Sequence, residues 1–111
     1  MLIKVGGIYN DKVVKGKYYI PILIDSENDY CSCIEVEFFG YECITNEDIN
    51  IAVAEIDHPF FIGFFLSEIN NYFDAYLGQV DDNLLSTFIE MRLKRIKQTV
   101  SSNTKRVMKS S

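Results

Sequence analysis

Apolar and polar positions alternate through the first part of this chain. In residues 17 to 24, KYYIPILI, Tyr18, Ile20, Ile22 and Ile24 fall on one side, and in residues 31 to 39, CSCIEVEFF, Ile34, Val36 and Phe38 fall opposite Glu35 and Glu37. A period of two is the mark of a strand with one buried face. The intervening DSENDY is rich in turn formers, so the two runs are predicted to pair as an antiparallel hairpin. Pro21 has no N–H for a ladder, which places an edge or a bulge there. Asn10-Asp11 and Lys15-Gly16 mark earlier turns and leave short strands near Leu2 to Val5 and Lys12 to Val14. Further on, Ile49, Ile51 and Val53 alternate with Asn50, Ala52 and Ala54. This reads as another strand, although Thr45 with Asp48 three residues on also fits the start of a short helix.

The period then lengthens. In residues 57 to 78, DHPFFIGFFLSEINNYFDAYLG, spacing near 3.6 gathers Phe61, Ile62, Phe65, Leu66, Ile69, Tyr72, Phe73, Tyr76 and Leu77 into one arc, opposite Ser67, Asn70, Asn71 and Asp74. Asp57-His58-Pro59 reads as a helix start and Gly78 as a stop. Phe60 and Phe64 fall at the edge of the polar side, either buried under the meander or exposed as a contact patch. A second helix is expected from Asp81 to about Thr99, with Asp81 as N-cap. It carries two apolar stripes: Leu85, Ile89, Leu93, Ile96 and Val100 form one, and Leu84, Phe88 and Met91 the other. Such a helix sits between two layers or offers one stripe to another chain, so a homodimer is one expectation. The predicted class is α+β: an antiparallel β meander of about four or five strands in the N-terminal half, packed against two C-terminal helices. Residues 1 to 100 form the single domain and residues 101 to 111 a flexible basic tail.

A chain of 111 residues has room for one core. Its start lacks the apolar stretch of a secretory signal. Its longest apolar block, Pro59 to Leu66, is far short of the roughly 20 residues that span a bilayer. No membrane association is expected, and the compartment expected is the cytoplasm. Three cysteines, Cys31, Cys33 and Cys43, are an odd number and suit a reducing compartment.

Charge changes the picture most. All sixteen acidic residues, but only four of the eleven lysines and arginines, precede Arg92. Residues 1 to 91 therefore carry a net −12 and residues 92 to 111 a net +7. Between Lys17 and Arg92 lie fifteen carboxylates and no basic side chain. Acidic surfaces keep proteins soluble, but a stretch this long without counter-charge also suits steering toward a cationic partner. Direct nucleic-acid binding is not expected, because phosphate contacts need lysine and arginine in number. The basic residues Arg92, Lys94, Arg95 and Lys97 fall toward the C-terminal end of the second helix, where cations complement the helix dipole.

Candidate chemistry is sparse. Cys31 and Cys33, two apart on a strand, would share a face, and with Cys43 and His58 they have the residue types of a zinc site. C-x-C alone lacks the paired spacing of one, so neither a metal nor a cofactor is expected. Glu35 and Glu37 continue the same face beside Asp25, Glu27 and Asp29. They read either as the solvent side of a sheet or as paired carboxylates for acid/base work. A small hydrolase using Glu35, Glu37 or His58 is the least favoured reading. No phosphate-binding glycine loop and no nucleophile elbow is present, and the chain is not expected to be an enzyme.

The acidic rows Asp25, Glu27, Asp29, Glu35, Glu37, Glu42, Glu47 and Asp48, on a small meander followed by helices, resemble the small bacterial immunity proteins that neutralise nuclease toxins of contact-dependent growth-inhibition systems. The resemblance is one of class and rests on no shared motif. It implies a protein inhibitor whose acidic surface covers the active site of a basic toxin domain. The alternative is a structural or regulatory homodimer joined through Leu84, Phe88 and Met91; Phe60 and Phe64 are the other candidate hydrophobic contact residues.

Overall fold

The computed structural model describes residues 2–38 and 45–110, with backbone only from residue 97 onward. Five strands, β1 (Gly7–Asp11), β2 (Lys17–Asp25), β3 (Tyr30–Glu37), β4 (Phe61–Phe65) and β5 (Phe73–Gln79), form one antiparallel sheet in the order β4-β3-β2-β1-β5. Helix α1 (Asn46–Ala54) lies between β3 and β4, a short 3₁₀ turn (Leu66–Asn71) joins β4 to β5, and α2 (Asp82–Ser110) closes the chain. This is the α+β class expected. Among the described residues, no helix is long and apolar enough to cross a membrane.

The predicted hairpin forms, and its register explains Pro21. Pro21 pairs with Cys33 and Leu23 with Ser32, so Ile22 bulges out and β2 accommodates a proline while holding the central place in the sheet. The bulge also reverses the alternation. Tyr18, Ile20 and Ile22 enter one core, whereas Ile24 packs with the opposite face. The first strand lies between the two expected at Leu2 to Val5 and Lys12 to Val14. Asp11 ends it by accepting the amides of Val13 and Val14 at 2.8 and 2.7 Å, which turns the chain.

Two elements differ in kind from the sequence reading. Residues 46 to 54 are a helix, not a strand: the Thr45 side chain accepts from the Asp48 amide at 3.1 Å, Asp48 Oδ2 accepts from the Thr45 amide at 3.1 Å, and Ile49 and Val53 point into the core. Residues 57 to 78 are not a helix but strand, 3₁₀ turn and strand. A run this rich in apolar residues satisfies either period. Aromatic residues favour the pleated surface, and pairing with β3 and β1 decides the outcome.

Both faces of the sheet are covered. One buries Ile8, Tyr18, Ile20, Ile22, Ile34 and Val36 under α1 and α2, through Ile49, Val53 and Phe88. The other gathers Tyr9, Tyr19, Cys31, Cys33, Phe64 and Phe73 beneath Ile69 of the 3₁₀ turn. Tyr19 stacks on Phe73 with ring centroids 5.2 Å apart, and Phe64 meets both edge-on. Helix α2 crosses from Gly6, where Leu85 lies, to β4, where Arg92 and Arg95 stand over the Phe61 ring at 5.4 and 4.9 Å. Its backbone runs to Ser110, beyond the Thr99 end expected. At the far edge Asn46 Oδ1 accepts the Gln79 amide at 2.9 Å, an approach that Gly78 permits because a β-carbon there would strike Asn46.

Candidate functional site

The acidic residues singled out in the sequence fall into three groups. Asp25, Glu27 and Asp29 lie on the β2–β3 turn, Glu35 and Glu37 near the other end of β3, and Glu47 and Asp48 on the first turn of α1. Glu42 lies outside the described residues. Position 37 is about 23 Å along the strand from position 30, so turn and strand end are separate surfaces.

Glu35 and Glu37 share a face with Cys31 and Cys33, as their spacing requires, but they are not an open acidic row. Lys17 on β2 bridges both, at 3.0 and 3.2 Å, and the Glu35 side chain is only 14% exposed. The two carboxylates, acting chiefly as hydrogen-bond acceptors, hold the Lys17 ammonium above its ordinary range. A lysine near the start of β2 meets these glutamates because Lys17 pairs with Glu37 and Tyr19 with Glu35 across the ladder. The same face is dry further along. Cys31 and Cys33 are fully buried, their sulfurs 3.5 Å apart, and burial pushes the Cys33 thiol up. His58 is exposed ahead of β4, whereas these thiols are buried. Cys43 lies outside the described residues. Among the described residues, no group of three or more His, Cys, Asp or Glu side chains is placed to hold a metal ion.

The turn is different. Asp25 accepts from the Asn28 amide at 3.2 Å and from its side-chain nitrogen at 2.7 Å, and these donors hold Asp25 below the usual carboxylate range. Asp29 adopts a left-handed backbone, φ 52°, which aspartate tolerates better than most residues. Its carboxylate takes both the amide and the hydroxyl of Ser67, at 2.8 and 2.6 Å, while its carbonyl accepts from Leu66 at 3.1 Å. Glu68, the next residue after Ser67, is exposed. Local sequence gives no sign of the Asp29 contact, because 38 residues separate Asp29 from Ser67. The result is one end of the sheet bearing Asp25, Glu27, Asp29 and Glu68. The ion pairs seen among the described residues, those of Lys17 with Glu35 and Glu37, do not involve these four carboxylates; beside the turn, Arg92 donates to the Tyr30 hydroxyl at 3.4 Å.

The hydrophobic contact set also divides. Phe88 is 3% exposed and Phe64 8%, each inside one of the two cores, and Leu84 and Met91 pack against the core that holds Phe88. The stripe expected to face a second chain is therefore the one that binds α2 to its own sheet. Phe60 remains exposed, at 64%, and Phe65 joins it at 60%. Compared with known proteins, the chain matches no family model, no curated sequence and no solved structure.

Proposed function

We propose that this chain is a cytoplasmic, non-enzymatic binding protein that inhibits a basic protein partner, most economically an immunity protein covering a nuclease-type toxin domain. The contact surface is the acidic end formed by the β2–β3 turn and the start of the 3₁₀ turn. What supports the reading is the pairing pattern. Residues 18 to 91 hold fifteen carboxylates and no lysine or arginine, and among the described residues the ion pairs seen with them are those of Lys17 to Glu35 and Glu37.

Within this end the four acids divide the work. Asp25 and Asp29 spend their oxygens on Asn28 and Ser67 and so shape the surface. Glu27 and Glu68 are exposed and are the groups offered to lysine or arginine from outside. Because the turn backbone is held by hydrogen bonds on both sides, a partner meets a backbone already in place, and less backbone ordering entropy is lost on binding. Glu47 and Asp48, on the opposite side of the sheet at the start of α1, contribute to the long-range field; Asp48 is also committed to its helix cap. For the least favoured reading, a small hydrolase using Glu35, Glu37 or His58, both glutamates are engaged by Lys17.

The experiment is capture of the partner on immobilised chain at low ionic strength, followed by association kinetics with that partner. The captured protein is expected to be basic. Its association rate should fall steeply as salt rises, as electrostatic steering requires. A rate indifferent to salt would count against this reading.

A further inference from the structure

The sheet has two edges, and they are finished differently. Edge strand β5 is irregular in register with β1 at two places, carries Asp74, and is tied at its end to Asn46 and Asn50 of α1. These are the usual means by which an edge is closed to other strands. Edge strand β4 is held at its two ends, by Arg95 on the Pro59 carbonyl and by Asp29 on Ser67, and has neither a register shift nor a charge between them. It pairs with β3 in unbroken register from Tyr30↔Phe65 to Ile34↔Phe61, and Pro59 to Leu66 contains no charged residue.

The direction of the β4 backbone groups follows from two bonds of its ladder. Glu35 N–H donates to the Phe60 carbonyl at 3.0 Å and Leu66 N–H to the Asp29 carbonyl at 3.1 Å. In an antiparallel ladder, alternate residues face the neighbouring strand. Residues 60, 62, 64 and 66 therefore turn their N–H and C=O groups toward β3, while Phe61, Gly63 and Phe65 turn theirs outward. The next outward carbonyl, that of Pro59, already accepts from Arg95 at 3.4 Å. Beyond Phe65 the chain leaves the strand for the 3₁₀ turn. Among the described residues, the stretch with no backbone partner on its outer side thus consists of three residues centred on Gly63.

That stretch is self-complementary. Read from Gly63 in both directions, PFFIGFFLS places phenylalanine at 61 and 65, apolar Ile62 and Phe64 next to the centre, and apolar Phe60 and Leu66 outside. The geometry points to β4 as a homodimerisation edge, pairing antiparallel with β4 of a second copy about a two-fold axis through Gly63. Gly63 then bonds its own counterpart, and Phe61 bonds Phe65 of the second copy on either side. All three outward residues are paired and none is left over, as an isologous contact requires. Each Phe61 and Phe65 pair also meets on the helix-covered face, which gives the exposed Phe65 ring an aromatic neighbour. Gly63 suits the centre because Tyr30 lies over it, where any β-carbon would strike the ring.

Charge leaves this edge open to a second copy. Two molecules of net −5 repel, but β4 is uncharged and Arg92 and Arg95 stand over Phe61. A five-residue strand contact is small beside the area of permanent dimers, so the dimer is reversible and concentration-dependent. The inference is independent of the acidic end, which lies outside the pairing stretch.

Sedimentation equilibrium over a wide concentration range, with amide exchange followed by NMR on the same samples, tests it. The expected result is a monomer–dimer equilibrium in which the amides of Phe61, Gly63 and Phe65 become protected as the dimer forms. Those of Ile62 and Phe64 should be protected throughout. Phe65→Lys places a cation beside Arg92 and Arg95 of the second copy and should leave a monomer with an unchanged circular dichroism spectrum. A wild-type monomer at every concentration would overturn the proposal, as would a dimer whose Phe61, Gly63 and Phe65 amides exchange as in the monomer. Should Phe65→Lys fail to fold, the wild-type exchange pattern decides alone.

Discussion

Asp29 and Ser67 hold each other through two hydrogen bonds, amide to Oδ1 at 2.8 Å and hydroxyl to Oδ2 at 2.6 Å. They join the β2–β3 turn to the connection between β4 and β5, at the end of the sheet where the proposed binding surface lies. A charge-assisted bond at a partly exposed site contributes on the order of 1 to 2 kcal/mol. Ser67→Ala, which removes the hydroxyl donor, is expected to cost about 1 kcal/mol in urea unfolding. Asp29→Ala loses both bonds and should cost more, and the double variant should be close to Asp29→Ala alone. Additive losses would show that the two residues do not act together.

Asp11 is the second carboxylate with a fixed task. Its Oδ2 accepts the Tyr19 hydroxyl at 2.6 Å and its Oδ1 the amides of Val13 and Val14. Burial pushes Asp11 up, but these donors outweigh it and hold the group below its ordinary value of 3.8; Asp25 and Asp48 are held down by Asn28 and Thr45. All three folded values lie below the unfolded ones, so the unfolded chain binds more protons in acid. Their contribution is complete above about pH 4 and is lost as pH falls through the folded values. Thermal unfolding should therefore shift downward in this window, and Asp11→Asn should flatten the dependence.

The Lys17 bridge has the opposite sign. The folded Lys17 value is raised above 10.5, so its contribution is present at neutral pH and lost only as pH rises through that raised value. The group is partly exposed and solvent screens it, so Lys17→Met is expected to cost no more than about 1 kcal/mol at pH 7. Comparing wild type and variant by urea unfolding at neutral and strongly alkaline pH checks the sign, because the difference should vanish in alkali.

Phe88 separates the two readings of α2. As a core residue at 3% exposure, Phe88→Ala should cost about 3 to 5 kcal/mol, and Phe88→Asp should unfold the domain rather than produce a folded monomer. Leu93, 47% exposed on the other stripe, should tolerate Leu93→Asp with little change. Circular dichroism melts of the three variants distinguish these outcomes.

The β2–β3 hairpin was legible in the sequence because its strands alternate apart from the bulge after Pro21, which moves Ile24 to the other face, and its turn residues are strong. Which faces are wet was not. Cys31 and Cys33 alternate with Ser32 and Ile34 as a half-exposed strand would, yet Ile69 and Phe73, forty residues on, bury them. The same non-local effect governs Phe60 to Tyr76. Their spacing fits a helix, but strand pairing with partners distant in sequence overrides it. At Thr45 and Asp48 a cap signal competed with a short alternating run, and the cap gave the correct answer. Of the candidate site, the charge imbalance was fully readable from composition. Its division among separate surfaces required the register that brings Lys17 to Glu35 and the contact that brings Ser67 to Asp29.

The most direct test of the acidic-end account is the association rate with the captured partner for wild type and for Glu27→Lys combined with Glu68→Lys, measured at low and high salt. Neither side chain makes a hydrogen bond on which the described fold depends, so the variant should keep the wild-type unfolding curve. The account predicts a variant whose association at low salt is slowed at least tenfold and whose salt dependence is much flatter. Equal rates for the two proteins at both ionic strengths would contradict it.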